Sequence, residues 1–146
     1  MISPEQFKGG KPMHSIESIQ KLLDPLLPGL LGMRLVELSP ERVVAELPVR
    51  PDLCTTGGVL HGGSSMAFAD TLGAIGTFMN LPEGKRTITT DSSTKFIGAA
   101  KVNTTVTGEC VALHRGRTTM VWQTTIRSAE GKLCAVVTQT QLVIGA

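Results

Sequence analysis

The chain has 146 residues, 41% of them hydrophobic and 18% charged, with 14 basic against 12 acidic side chains. That is the size of one domain able to bury its own core, and a net charge of +2 gives no electrostatic hold on nucleic acid or on a membrane surface. The few aromatics (Phe7, Phe68, Phe78, Phe96 and Trp122, with no Tyr) exclude a base-stacking platform for single strands. Cys54, Cys110 and Cys134 are an odd number without CxxC spacing, and His14, His61 and His114 are scattered. No zinc pattern appears, so neither a metal nor a resident cofactor is expected. The cysteines read as small buried hydrophobes in a reducing compartment. With no leader-like apolar run in residues 1–14 and no membrane span, a cytoplasmic protein is expected.

Residues 1–14 carry Pro4, Gly9, Gly10 and Pro12 and read as a flexible tail, leaving 15–146 as a single domain. Ser15 is placed to cap a short amphipathic helix, in which Ile16, Ile19, Leu22, Leu23, Leu26 and Leu27 recur at helical spacing. Pro25 weakens its middle, and Pro28-Gly29 is expected to end it. Two short strands follow, Met33–Ser39 and Arg42–Pro48, joined by the turn chemistry of Ser39-Pro40-Glu41 into a hairpin. Then comes a loop, Arg50–Leu60, rich in Thr and Gly.

Gly62–Asn80 has no β-branched run, and its apolar residues lie nearly all round a helical wheel. That predicts a buried helix, in which Gly63, Gly73 and Gly76 mark places where another backbone comes close. The remainder, Thr87–Ile97, Val102–Leu113, Thr118–Arg127 and Leu133–Ile144, is rich in Thr and Val and reads as long strands. Val102, Val106, Cys110 and Ala112 share one parity, as do Met120, Trp122 and Ile126, and then Cys134, Val136 and Leu142. Asn103, Thr105, Glu109, Gln123, Arg127 and Gln139 take the other, wetter face. Strands this long curl, and only Gly62–Asn80 is apolar enough to fill the curl. The predicted architecture is an α+β domain, one long helix wrapped by an antiparallel sheet of about six strands.

Asp70 stands out chemically. Between Leu53 and Pro82 no other Asp, Glu, Lys or Arg occurs, so a carboxylate sits mid-helix without a charged neighbour. An unpaired buried acid is a poor choice for stability and a good one for acid–base or nucleophilic work. His61-Gly62-Gly63-Ser64-Ser65 opens the same helix, where free N–H groups and close approach suit a polarised carbonyl or an oxyanion. Without a P-loop or GxGxxG, nucleotide phosphate is weakly supported there. Ser64 and Ser65 are explained by capping. Cys110 and His114 lie about 13 Å apart along a strand, too far to act as nucleophile and base.

Val59-Leu60-His61-Gly62-Gly63 followed by Asp70-Thr71-Leu72-Gly73 resembles the hot-dog-fold acyl-CoA thioesterases, in the branch typified by phenylacetate-pathway and human THEM-type enzymes. The resemblance covers residues 15–146. It implies hydrolysis of an acyl-CoA, with Asp70 as general base or nucleophile and the Gly62 N–H polarising the thioester carbonyl. His61 would support that loop and assist the leaving thiol. Thr89 would help place the water, contributed by the neighbouring subunit, because family sites lie at a dimer interface. Thr55 and Gly63 would contact substrate, Thr55 where many members carry Asn or Gln, and Arg115 and Arg117 would approach the nucleotide end of CoA. Ala74, where the Glu-type enzymes carry Ser or Thr, favours the Asp-type arrangement. The resemblance also implies a homo-oligomer, a dimer or a dimer of dimers (a homotetramer). A pocket lined by Met66, Phe68, Leu72 and Met79 is expected for the acyl group. The competing readings are a hydratase or dehydratase on the same fold and a non-catalytic acyl-CoA-binding module.

Overall fold

The computed structural model describes residues 14–145. The tail expected over 1–14 lies outside the described residues except for His14, whose ring packs against Phe78 with centroids 4.8 Å apart. Ser15 caps α1 (Ile16–Leu23) through a reciprocal capping box with Ser18. The expected single helix is in fact two. Pro25 ends α1, and Pro28, expected as a stop, lies in the first turn of α2 (Leu27–Leu31), where its missing N–H has no helical partner to lose. Gly32, with φ of 82°, closes α2 in the left-handed region.

Strands β1 (Arg34–Leu38) and β2 (Arg42–Pro48) form the expected antiparallel hairpin. The Thr/Gly-rich loop holds a 3-10 turn at Pro51–Leu53 and a two-residue ribbon, β3 (Cys54–Thr55) against β4 (Val59–Leu60). Next come α3 (Gly62–Phe78) and the long strands β5 (Arg86–Phe96), β6 (Thr105–Arg115), β7 (Thr119–Arg127) and β8 (Leu133–Ile144). The main sheet is six-stranded and antiparallel throughout, in the order β1-β2-β6-β7-β8-β5. It curls around α3, which packs on β2, β5, β6, β7 and β8. This is the hot-dog fold. Among the described residues no helix is long and apolar enough to cross a membrane.

Phe68, Ala69 and Leu72 of α3 meet Val106, Cys110, Trp122, Ile126 and Val137 in a fully enclosed core. Two sequence expectations need correction here. First, the glycines of α3 make room for side chains rather than for backbone. A Cβ at Gly73 would lie 2.2 Å from the Gln139 amide nitrogen, and one at Gly76 would lie 2.8 Å from the Trp122 ring. Second, beyond Cys134, which is buried as expected, the parity of β8 is reversed. Ala135, Val137, Gln139 and Gln141 face α3, with exposures of 0 to 1%, while Val136 and Leu142 are only partly covered. Gln139 and Gln141 belong to the core floor and not to the wet face.

Candidate active site

α3 places Asp70 about two turns from its start. The carboxylate is half-buried rather than enclosed, and it is not unpartnered. The Thr89 hydroxyl donates to Asp70 Oδ1 at 2.7 Å. Gln139 Nε2 donates to the Asp70 backbone carbonyl at 3.2 Å and to Oδ1 at 3.4 Å. Gln141 Nε2 in turn donates to Thr89 Oγ1 at 2.7 Å, and the Thr87 hydroxyl donates to Gln141 Oε1 at 2.9 Å. No cation pairs with Asp70 among the described residues. Thr89 therefore reaches Asp70 within its own chain, which corrects the expectation that the neighbouring subunit supplies it. β5 pairs with β8 across Thr89 and Gln141, and α3 crosses above them, so one chain suffices to bring the acid and the hydroxyl together.

The start of α3 is organised by His61. Its backbone is extended, and its Nδ1 accepts the Gly63 N–H at 2.8 Å, so the histidine is the N-cap. Ser64 and Ser65 are therefore not the caps. Ser64 Oγ instead donates to the Leu53 carbonyl at 2.9 Å, tying the helix start to the 3-10 turn. With the Gly63 N–H taken by His61, the Gly62 N–H is the one at this turn without an acceptor among the described residues. A Cβ at Gly62 would touch the Phe96 ring at 3.0 Å. Thr55 sits in the ribbon that leads into this turn, opposite Val59.

Arg115 is held elsewhere. Its guanidinium reaches Asn80 Oδ1 at 3.3 Å and Glu41 at 3.5 Å, just beyond the C-terminal end of α3. At 1.5 Å per residue, α3 separates that end from Gly62 by about 25 Å. Arg117 lies in the adjoining exposed turn. Within one chain the structure brings together Asp70 and Thr89, and separately His61, Gly62 and Gly63, with Thr55 in the ribbon that precedes them. It joins Arg115 and Arg117 to neither group.

An apolar cavity of about 380 Å³ opens beside Asp70, between α1–α2 and α3. Leu22, Leu26, Ala74, Ile75 and Phe78 line it, and Asp70, Thr71 and Thr87 are its polar members. The expected pocket residues lie elsewhere. Phe68 and Leu72 are fully buried under α3, and Met66 is exposed. A wider groove of about 750 Å³ between α1, α2 and β1 holds none of the candidate site residues. Burial pushes the Cys110 thiol up to about 11, which keeps it protonated and unreactive. Among the described residues no group of three or more His, Cys, Asp or Glu converges as a metal site would require. The residues that sequence reasoning missed are Gln139, Gln141 and Thr87. The available signal was the Gln-x-Gln repeat in β8, on the same parity as Ala135 and Val137.

The profile of the thioesterase superfamily matches residues 57–135, from the ribbon before His61 into β8. The proofreading thioesterase EntH of Cronobacter turicensis is 30% identical over 115 residues, 79% of this chain and 83% of that protein. A thioesterase from Haemophilus influenzae superposes with a TM-score of 0.86 at 30% identity, covering 92% of this chain and 94% of its own. A hypothetical thioesterase from Streptococcus pneumoniae, solved with coenzyme A, gives a TM-score of 0.71 at 25% identity over 77% of this chain and 86% of its own. The curled sheet, its enclosed helix and these matches define a thioester hydrolase of the hot-dog class. The chain belongs to the thioesterase superfamily.

Proposed function

We propose that the protein hydrolyses an acyl-CoA at a site shared by two copies of the chain. The observation that carries this reading is Asp70, a lone carboxylate at the mouth of an apolar cavity, with one oxygen already held by Thr89. Asp70 takes the proton of the attacking water as general base. The cavity receives an uncharged, apolar acyl group, since burying a charge there without a partner would be costly. The thioester carbonyl is polarised by the Gly62 N–H, the free donor at the positive end of α3. The leaving thiol resembles a free cysteine, with a pKa of about 8.5, and departs without a strong acid. The S. pneumoniae relative that holds coenzyme A supports a CoA ester as substrate.

Two copies are needed on geometric grounds. Eight residues of helix separate Gly62 from Asp70, about 12 Å along the axis, too far for one carbonyl carbon to meet both. The Gly62 of one chain therefore works with the Asp70 of another. β5 gives a reason for association. It is an edge strand of 11 residues, and Ile88 and Phe96 on it are 48% and 59% exposed. A long edge with apolar side chains calls for a partner. We place the assembly in the cytoplasm, where Cys54, Cys110 and Cys134, all unpaired, stay reduced.

The test is thiol release from short, long, aromatic and carboxylate-bearing acyl-CoAs, with Asp70→Asn as control. Turnover of apolar acyl-CoAs that disappears in Asp70→Asn supports the reading. Turnover of every thioester at the rate of Asp70→Asn contradicts it.

A further inference from the structure

Gln139 and Gln141 are the two largest polar side chains in the core, each with 0% exposure. Burying an amide is costly unless its groups are bonded, and Gln139 Oε1 has no partner among the described residues. The helix above also gives something up for them, because Gly73 lacks the Cβ that would collide with the Gln139 amide at 2.2 Å. Packing alone does not account for such a pair. Their donors, however, converge on Asp70, at its Oδ1 and its backbone carbonyl.

The direction of that chain follows from the Gln141 amide nitrogen, which only donates, and from the carboxylate at the other end. A carboxylate only accepts. Thr89, with a single hydroxyl proton, must donate it to Asp70 Oδ1 at 2.7 Å. Thr89 Oγ1 then accepts from Gln141 Nε2 at 2.7 Å, which turns Gln141 Oε1 toward the Thr87 hydroxyl at 2.9 Å. Three hydrogen bonds thus run head to tail, Thr87 to Gln141 to Thr89 to Asp70, each polarising the next. Gln139 adds a second donor to Oδ1 at 3.4 Å and fixes the Asp70 main chain at 3.2 Å. Among the described residues no donor reaches Oδ2.

We propose that Gln141, with Gln139 beside it, is a positioning residue that decides which oxygen of Asp70 reacts. Oδ1 is saturated from below by Thr89 and Gln139, and Oδ2 is the oxygen presented to water. In this arrangement the Thr89 proton is committed to the carboxylate and is not available to the water. Gln141 holds that commitment, because an acceptor in its place would draw the Thr89 proton away from Asp70.

The inference rests on the reading of Asp70 as the acting carboxylate, and a double-mutant cycle separates the two. Gln141→Met keeps the volume and removes the amide, and Thr89→Val removes the hydroxyl through which Gln141 acts. kcat, KM and thermal melting are read on the same preparations, with an acyl-CoA that the wild type turns over. Gln141→Met is expected to lower kcat about tenfold, the rate equivalent of one lost hydrogen bond to a charged network, with KM within about twofold. In the Thr89→Val background the same change is expected to have no further effect on kcat, a non-additivity that a packing role would not produce. Should Gln141→Met fail to fold, Thr87→Val at the far end of the chain carries the same test, with a kcat loss of about threefold that vanishes when Thr89 is Val. Full kcat in the folded single variant, or an equal loss with and without the Thr89 hydroxyl, overturns the proposal. If Asp70→Asn retains turnover, the reading of Asp70 falls as well. If Asp70→Asn is inactive and the cycle is additive, this inference alone falls.

Discussion

The floor beneath α3 differs from one side to the other. Over β6 and β7 it is mostly apolar, made of Val106, Cys110, Trp122 and Ile126 with a buried Thr124 beside Cys110, and the Trp122 indole N–H donates to Thr77 Oγ1 at 2.9 Å. Over β8 and β5 it carries Gln139, Gln141, Thr87 and Thr89, equally enclosed at the two amides but wired to Asp70. The helix meets both floors through glycine, Gly76 over Trp122 and Gly73 over Gln139. The same device, a missing Cβ that lets a large side chain in, serves packing on one side and a carboxylate on the other. Each side predicts its own kind of failure.

The largest effect belongs to the carboxylate. Asp70→Asn is expected to lower kcat by about 10²–10⁴-fold, the usual range for a lost general base, while circular dichroism melting stays near wild type. On the apolar floor, Trp122→Ala is expected to cost about 3–5 kcal/mol of stability. Denaturant unfolding would show that loss, while kcat per folded molecule, measured well below the melting temperature, stays within about twofold of wild type. A collapse of kcat in folded Trp122→Ala would erase the distinction between the floors.

The two glycines sharpen the comparison. Gly73→Ala and Gly76→Ala each crowd a large side chain, an overpacking cost of about 1–3 kcal/mol, partly offset by about 1 kcal/mol of helix propensity. Both are expected to lower the melting temperature modestly, but only Gly73→Ala, by displacing Gln139 from Asp70, is expected to slow turnover, by about tenfold. Equal turnover in the two variants would detach Gln139 from the chemistry. The smallest effect lies away from both floors. Burial lowers the pKa of His14 from its usual 6.5, so the folded state prefers the neutral ring. The stability this contributes is fully present above about pH 6.5 and is lost as pH falls through the folded-state value. His14→Ala is expected to flatten that part of the stability–pH curve, as read by urea unfolding at pH 5 and pH 7.5.

The residues that were legible in the sequence are those whose signal is local. The lone charge of Asp70 in an apolar stretch, the glycine-rich turn after His61 and the long Thr/Val strands all follow from neighbours along the chain, and the enclosed helix follows from them. Thr89 came only from family resemblance, because β5 is polar almost throughout and one hydroxyl there looks like another. The inward face of β8 is ambiguous in the sequence because both of its parities carry apolar residues. Cys134, Val136 and Leu142 compete with Ala135 and Val137, and two glutamines on the second set tip a composition-based choice toward solvent. What places them inside is the pairing of β8 between β7 and β5 under α3, a long-range fact. Pro28 is ambiguous for a local reason. Its local signal is ambiguous between a helix stop and a first-turn residue, and Gly32 four residues later is the true stop.

The central claim is that Asp70 of one chain acts on a carbonyl polarised by Gly62 of another, and mixed oligomers test it most directly. Asp70→Asn and Gly62→Val chains are each expected to be nearly inactive, the second because a side chain there obstructs the donor while the exposed Phe96 ring can swing aside. When the two are unfolded together and refolded, random pairing makes about half of the dimers mixed, each with one intact site. Thioester hydrolysis should then recover to about a quarter of the wild-type rate, against nearly none in either variant refolded alone. Mixed preparations that exchange subunits, as shown by differential tagging, yet stay inactive would contradict the shared site.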